Sequence, residues 1–191
     1  MKYLLIILSL FLFSFTVITC KGKSTSTSDT TEPTAPTVSS TISFTQQLGT
    51  SGNDVGNGVT VDSSNNIFVT GYTQGGLDSN THSGSEDIFL VKYNSSGVKH
   101  WTKQLGSSSS DQGRGVVVDS SNNIYVTGYT KGGLDGNTNS GSYDIFLVKY
   151  NSSGVKHWTK QLGSSSDDYG RGVTVDSSNN IYVTGYTKGG L

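Results

Sequence analysis

The sequence is poor in the residues that would mark a disulfide-bonded, helical or strongly charged protein. Among 191 residues there are one cysteine, Cys20, one methionine, two prolines and three histidines. A single cysteine excludes any disulfide within the chain. Thirteen basic and 14 acidic residues leave a formal net charge of -1, so no basic field exists to gather phosphates and nucleic acid is not an expected partner. Long apolar runs are missing except near the N-terminus, and helical periodicity is nearly absent. What is abundant is strand and turn chemistry. Twenty-five glycines and 10 tyrosines, with many Ser, Asn and Thr residues, describe short β-branched or aromatic strands joined by tight turns.

Met1 to Thr19 carry one cation, Lys2, followed by a mostly apolar stretch from Leu4 to Phe13. That stretch suits a signal-peptide core and is short for a membrane span, so residues 1–19 read as an export signal. Cys20 stands where a bacterial lipoprotein signal carries the thiol that receives diacylglycerol, after Val17-Ile18-Thr19, a loose form of the usual Leu-Ala-Gly lipobox. The alternative is an uncleaved anchor or an ordinary signal peptide, which would leave a free thiol in an oxidising compartment. Residues 20–41 hold Ser, Thr, Pro, Asp and Glu with almost no large apolar side chains. Such a segment cannot offset the entropy of ordering and reads as a tether. The expected location is extracytoplasmic, anchored to a bacterial membrane through lipid on Cys20. Lys21 favours the outer membrane or cell surface over the inner membrane.

Residues 42–191 repeat. Phe44, Trp101 and Trp158 align, as do Leu48, Leu105 and Leu162, and Asp62, Asp119 and Asp176, at a gapless period of 57. The units are 44–100, 101–157 and a partial 158–191, and 44 of 57 positions are identical between the first two. Self-similarity of this kind outranks any local reading. Each unit holds four strand-like runs, which in the second are Gly115 to Val118, Ile124 to Tyr129, Asp144 to Tyr150 and Val155 to Leu162. The gaps Asp119-Ser120-Ser121-Asn122-Asn123 and Asn151-Ser152-Ser153-Gly154 read as hairpin turns, because Asp and Asn bond their own backbone and tolerate positive φ. In the third run Phe146, Val148 and Tyr150 share one face while Ile145 and Leu147 share the other. A sheet that is apolar on both faces needs neighbours on both, which stacked propeller blades supply. The expected core between blades is Phe146, Val148, Ile124 and Val126 with their equivalents one period away.

The run Gly-Val-(Val/Thr)-Val-Asp-Ser-Ser-Asn-Asn-Ile-Tyr-Val-Thr-Gly-Tyr-Thr, followed by Asp-Ile-Phe-Leu-Val-Lys-Tyr-Asn-Ser-Ser-Gly, resembles the bacterial SBBP β-propeller repeat from about Phe44 to Leu191. The resemblance implies an all-β fold of tandem four-stranded antiparallel blades, in a family named for a seven-bladed propeller with no general catalytic residues. Similarity to NHL-type blades further implies that Gly115 to Val118 is innermost and Val155 to Leu162 outermost. Eleven strands, about 2.75 blades, do not close a ring, so the array is expected to be open. On this count even a composite blade shared with a second copy lacks its third strand. Self-association through open blade edges is then expected.

Ligand-like side chains cluster in the loop between the second and third strands: Asp135, Asn137 and Asn139, with Asp78, Asn80 and His82 in the preceding copy. Alternating oxygens suit calcium, but the glycine and terminal Glu of an EF-hand are missing, and four residues on the copies differ, with Glu86 and Tyr143 followed by Asp87 and Asp144. The competing reading is turn geometry, with Asp87 and Asp144 fixing the strand start. His100 and His157 occupy one repeated position beside Trp101 and Trp158 and read as strand-edge imidazoles. No Ser-His-Asp set or Gly-x-Ser-x-Gly elbow is legible. Trp101, Trp158, Tyr129 and Tyr186 form either a sugar-stacking ladder or packing between blades. No catalytic residue, metal ligand or cofactor is therefore expected, and no particular ligand-binding residue. The expected function is a non-enzymatic scaffold or binding module for a protein or glycan, the alternatives being a propeller-pocket hydrolase or lyase and a truncated piece of a longer array.

Overall fold

The computed structural model describes residues 15–23 and 39–191, with side chains from Phe44 onward. The repeat turns form as their chemistry dictates. Asp119 Oδ1 accepts the backbone N–H groups of Ser121 and Asn123, both at 2.8 Å, and Oδ2 accepts the Asn123 side-chain amide at 2.8 Å. Asn122 meanwhile takes the left-handed conformation, φ 62°. Asp62 and Asp176 organise the same turn in their copies. In the other hairpin Asn151 Oδ1 accepts the N–H groups of Ser153 and Val155, and Gly154 supplies φ 76°. Each turn thus fixes the register of the strands it joins.

These turns link β3 (Asp54–Val61), β4 (Ile67–Thr73), β5 (Asp87–Tyr93) and β6 (Lys99–Leu105) into one antiparallel four-stranded meander. A second is formed by β7 (Asp111–Val118), β8 (Ile124–Thr130), β9 (Asp144–Tyr150) and β10 (Lys156–Leu162). β11 (Asp168–Val175) and β12 (Ile181–Thr187) begin a third, and β2 (Ser39–Leu48) precedes the first. The sheets stand as an open row of blades. β7 packs against β3 on one side and β11 on the other, so the first strand of each blade faces its counterparts.

The core lies between blades. Phe68, Ile88 and Leu90 of the first blade join Ile124, Val126, Phe146 and Val148 of the second in one buried cluster. Leu48 and Phe44 of β2 pack with Ile67, Val69, Phe89 and Val91 in another. Both faces of β5 are thereby covered, and Ile88, Phe89, Leu90 and Val91 are all buried. Two glycines are required by close approach. A Cβ on Gly128 would meet the Phe146 ring at 2.9 Å, and one on Gly154 the Trp101 ring at 3.1 Å.

Several details depart from the sequence expectation. The first strand begins at Asp111 rather than Gly115, because a register shift between Gly113 and Gly115 lets pairing continue past a β-bulge at Arg114. The fourth strand begins at Lys156, one residue later than expected. Finally, β1 (Phe15–Lys23) pairs with β2 across the expected junction of signal and tether, with Cys20 opposite Ile42. Strand therefore occupies both ends of the segment expected to be a tether, and residues 24–38 lie outside the described residues. The β-branched sequence Thr16-Val17-Ile18-Thr19 and the exposed edge of β2 account for this pairing. Its register, Phe15 opposite Leu48 and Thr19 opposite Phe44, is that of β5 on β6, where Ile88 lies opposite Leu105 and Lys92 opposite Trp101. β1 thus stands in the third-strand position that the eleven-strand count left vacant.

Candidate functional site

A four-stranded meander has two ends. One carries the hairpin turns between strands one and two and between strands three and four. Their Asp-Ser-Ser-Asn-Asn and Asn-Ser-Ser-Gly sequences are identical in every copy. The other end carries the two-to-three connection and the link from the fourth strand to the next blade. There the copies diverge: Asn53, Ser110 and Asp167 are equivalent, as are Val55, Gln112 and Tyr169, Asn57, Arg114 and Arg171, and Glu86 and Tyr143.

The bulges place these residues together. Asn57 of the first blade donates through Nδ2 to the Gly113 carbonyl at 2.8 Å, and Arg114 Nη1 donates back to Asn57 Oδ1 at 3.3 Å. Arg114 Nη2 donates to Gln112 Oε1 at 2.6 Å and to the Tyr129 hydroxyl at 2.5 Å, and that hydroxyl donates to Gln112 Oε1. The Gln112 amide and the Ser110 hydroxyl both donate to Glu86 Oε2. The Arg114 guanidinium stands 5.1 Å from the Tyr129 ring centre, and that of Arg171 stands 5.8 Å from the same ring and 5.4 Å from Tyr169. Tyr129 meets Tyr169 edge-on at 4.7 Å, and Tyr143 lies 5.1 Å from Tyr169. Burial, then the neighbouring Tyr129, Glu86 and Asp167, push the Tyr143 phenol above its ordinary range. Burial and then Asp167 do the same for Tyr169, so both phenols stay protonated donors.

The residues singled out from sequence have other partners. Asp78 Oδ1 and Oδ2 accept from Lys99 and Thr102, each at 2.5 Å, and Asp135 accepts from Lys156 and Thr159. Asn80 and Asn137 donate to the carbonyls of Leu77 and Leu134 at 2.7 Å, and Asn139 Oδ1 accepts the Gly141 N–H. The loop oxygens thus hold the loop itself rather than converging on a cation. Asp87 and Asp144, both buried, accept from Ser83 and Ser140 N–H and from the Gln104 and Gln161 amides, fixing the strand starts. His82 Nδ1 lies 3.4 Å from Asp87 Oδ2. His100 and His157 are exposed on β6 and β10. Trp101 lies against Gly154 of the following turn and packs on the core between blades, Trp158 lies 6.2 Å from the Tyr125 ring, and Tyr129 is 7% exposed, so these three pack, whereas Tyr186 is 45% exposed and stacks on Tyr169. The side chain of Cys20 lies outside the described residues. The sequence reading missed Gln112, Arg114 and Arg171, because Gly-Arg-Gly before a short apolar run resembles a turn. The divergence between copies was the signal that could have located them.

A family model described as a beta-propeller repeat, SBBP, matches residues 44–78, 100–135 and 157–191. An uncharacterized WD repeat-containing protein, L264, of Acanthamoeba polyphaga mimivirus is 28% identical over 197 residues, covering 83% of this chain and 14% of its own length. The regulatory protein FlaEY of Caulobacter vibrioides is 25% identical over 116 residues, covering 56% of this chain and 12% of its own length. The chain therefore spans about a seventh or less of these relatives. With its three matched repeats, folded as tandem antiparallel blades, the chain belongs to the SBBP beta-propeller repeat family.

Proposed function

We propose that this protein is a lipid-anchored, extracytoplasmic binding module without catalytic activity, which engages a protein or glycan through the variable end of its blades. One observation carries the reading: copies that keep their hairpin turns unchanged diverge at the end where Gln112, Arg114, Glu86, Tyr129 and Tyr143 meet. The family and the relative with WD repeats support a scaffold or binding role. A hydrolase or lyase would require a loop with a working acid or His pair. The nearest such pair, His82 and Asp87, has its carboxylate buried and bonded to Ser83 and Gln104 in the role that Asp144 fills in the next copy.

The test is affinity capture and a glycan array with the full chain, beside a variant carrying Gln112→Val, Arg114→Asn and Tyr143→Glu, which gives the second copy the residues of the first. Loss of the captured partner by this variant is the expected result. Retention with unchanged affinity rejects the variable end as the binding surface.

Anchoring rests on Lys2, the apolar stretch Leu4 to Phe13 and Cys20. Cleavage before Cys20 would remove Phe15 to Thr19 from β1, leaving its full pairing with β2 to the precursor alone. Labelling with a fatty-acid analogue should mark the parent and not Cys20→Ala. Equal labelling of both rejects lipidation.

A further inference from the structure

We propose that the outer edge of β12 binds an extended segment of a partner protein, with an aromatic, an aliphatic and an aromatic residue at alternate positions, which completes the third blade by strand addition. β12 has the sequence of β8 residue for residue, Ile-Tyr-Val-Thr-Gly-Tyr-Thr. Their surroundings differ. β8 is paired on both edges and buried throughout, with Tyr125 and Val126 3% and 0% exposed. Among the described residues β12 is paired with β11 alone, and the equivalent Tyr182 and Val183 are 54% and 40% exposed. The facing side of the second blade is open too. Ile145 and Leu147 are only partly buried, whereas Ile88 and Leu90 at the same positions of the first blade are covered by the second. Between β12 and the second blade lies a cleft of about 410 Å³, lined by Ile145, Leu147, Leu162, Val183 and Leu191 among others. An unpaired ladder edge beside an apolar cleft is what an added strand needs, since main-chain bonds supply affinity and side chains in the cleft supply selection.

The two complete blades show which strand this surface accepts. β5 lies on β4 and β9 on β8 in one register, with Phe89 opposite Gly71 and Phe146 opposite Gly128, and with Val91 and Val148 opposite Val69 and Val126. Each glycine leaves room for the ring, because a Cβ on Gly71 or Gly128 would stand 2.9 Å from it. Thr70 and Thr127 donate their hydroxyls to the carbonyls of those two phenylalanines at 2.7 Å. Phe146, Val148 and Tyr150 then pack with Ile88 and Leu90. β12 repeats the glycine and the threonine as Gly185 and Thr184, and the cleft repeats Ile88 and Leu90 as Ile145 and Leu147. The segment it takes therefore places a Phe opposite Gly185, a Val opposite Val183 and a Tyr opposite Ile181. A second copy offers no free strand of this kind. Its β5 and β9 are already paired on both edges, and β1, in the third-strand position, has Thr16 at the register of Phe89. None of these contacts requires the strand to be joined to β12, so another polypeptide can supply it. The residues concerned are the same in each copy, which makes the site independent of the divergent end.

The test is titration of the full chain into a fluorescently labelled peptide with the sequence of residues 142–151, which contains β9, extended by lysines for solubility and read by anisotropy. The same peptide carrying Phe146→Gly is titrated beside it. On the chain, Val183→Asp and Leu162→Glu place charge in the cleft at exposed positions and are compared with Val98→Glu, an exposed valine of the first blade outside the cleft. The parent peptide should bind. The Phe146→Gly peptide and the two cleft variants should each lose about tenfold or more in affinity, as expected when a buried aromatic is lost or an unpaired charge is buried. Val98→Glu should bind as the parent does, and amide exchange on saturation should slow in β12, where the new ladder forms. Thermal unfolding is measured in parallel, and the peptide pair alone carries the test if a chain variant unfolds. Absence of peptide binding overturns the proposal, as do equal binding of the Phe146→Gly peptide, equal loss in Val98→Glu, or new protection confined to segments other than β12. So does light scattering that shows the chain alone as an oligomer which Val183→Asp dissociates and the peptide does not, since a second copy would then fill the cleft.

Discussion

The two ends of each blade obey different rules. At the hairpin end, Asp119 and Asn151 spend their side chains on their own turns, and every copy has the same residues there. At the opposite end the backbone is equally regular, with the same bulge in β3, β7 and β11. Yet the residue that each bulge presents changes from Asn57 to Arg114 and Arg171. One end specifies the fold, while the other uses the fold as a support for varied side chains. The difference is physical. A turn closed by self-bonding has few acceptable sequences, whereas a side chain extruded by a bulge is free of the ladder and can vary without loss of pairing.

The framework side of this comparison should fail hardest when broken. Phe146 is fully buried between blades, and Phe146→Ala should cost about 3 to 5 kcal/mol in chemical denaturation. A much smaller loss would mean that β9 is not sandwiched. The framework is also what the sequence made legible. Phe146, Val148, Ile124 and Val126 fall in the core between blades because alternation on a strand is short-range information, and left-handed Asn122 and Gly154 follow from residue type alone. The bulge at Arg114 was not legible. Nothing in Gly113-Arg114-Gly115 distinguishes a turn from a strand that skips a residue, and only pairing with β8 decides it.

A smaller effect is expected at the hairpin end. Asp119→Ala removes acceptors for Ser121, Asn123 and Tyr125 and should cost about 1 to 3 kcal/mol by the usual loss for unmade hydrogen bonds. Burial alone would raise the Asp119 carboxyl, but the Asn123, Tyr125 and Ser121 bonds prevail and hold it below the ordinary range. Its stabilisation is therefore present above the unfolded carboxyl range and is lost as pH falls through the lowered value. Asp111, at the other end, behaves oppositely. Burial, with the charge of Asp87 added, raises its carboxyl despite bonds from Thr130 and Ser107. Its contribution is present below the unfolded range and lost as pH rises through the raised value. Urea titrations across pH should accordingly show Asp111→Asn gaining on the parent as pH rises through that value. Asp119→Asn should fall furthest behind at neutral pH.

The smallest effect on stability should come from the variable end. Asn53→Ser, which gives the first copy the residue of the second at an exposed divergent position, should shift unfolding by no more than about 0.5 kcal/mol. A loss comparable to that of Asp119→Ala would show that the divergent residues are framework after all.

The central claim is that recognition belongs to the end where the copies diverge. Amide hydrogen exchange of the full chain, with and without the partner recovered by affinity capture, tests it directly. New protection should be confined to the inner-strand starts around Gln112 to Arg114 and Tyr169 to Arg171 and to the loop from Lys131 to Tyr143. New protection at the Asp119 to Asn123 and Asn151 to Gly154 turns instead, with the Arg114 and Arg171 segments unchanged, would contradict it.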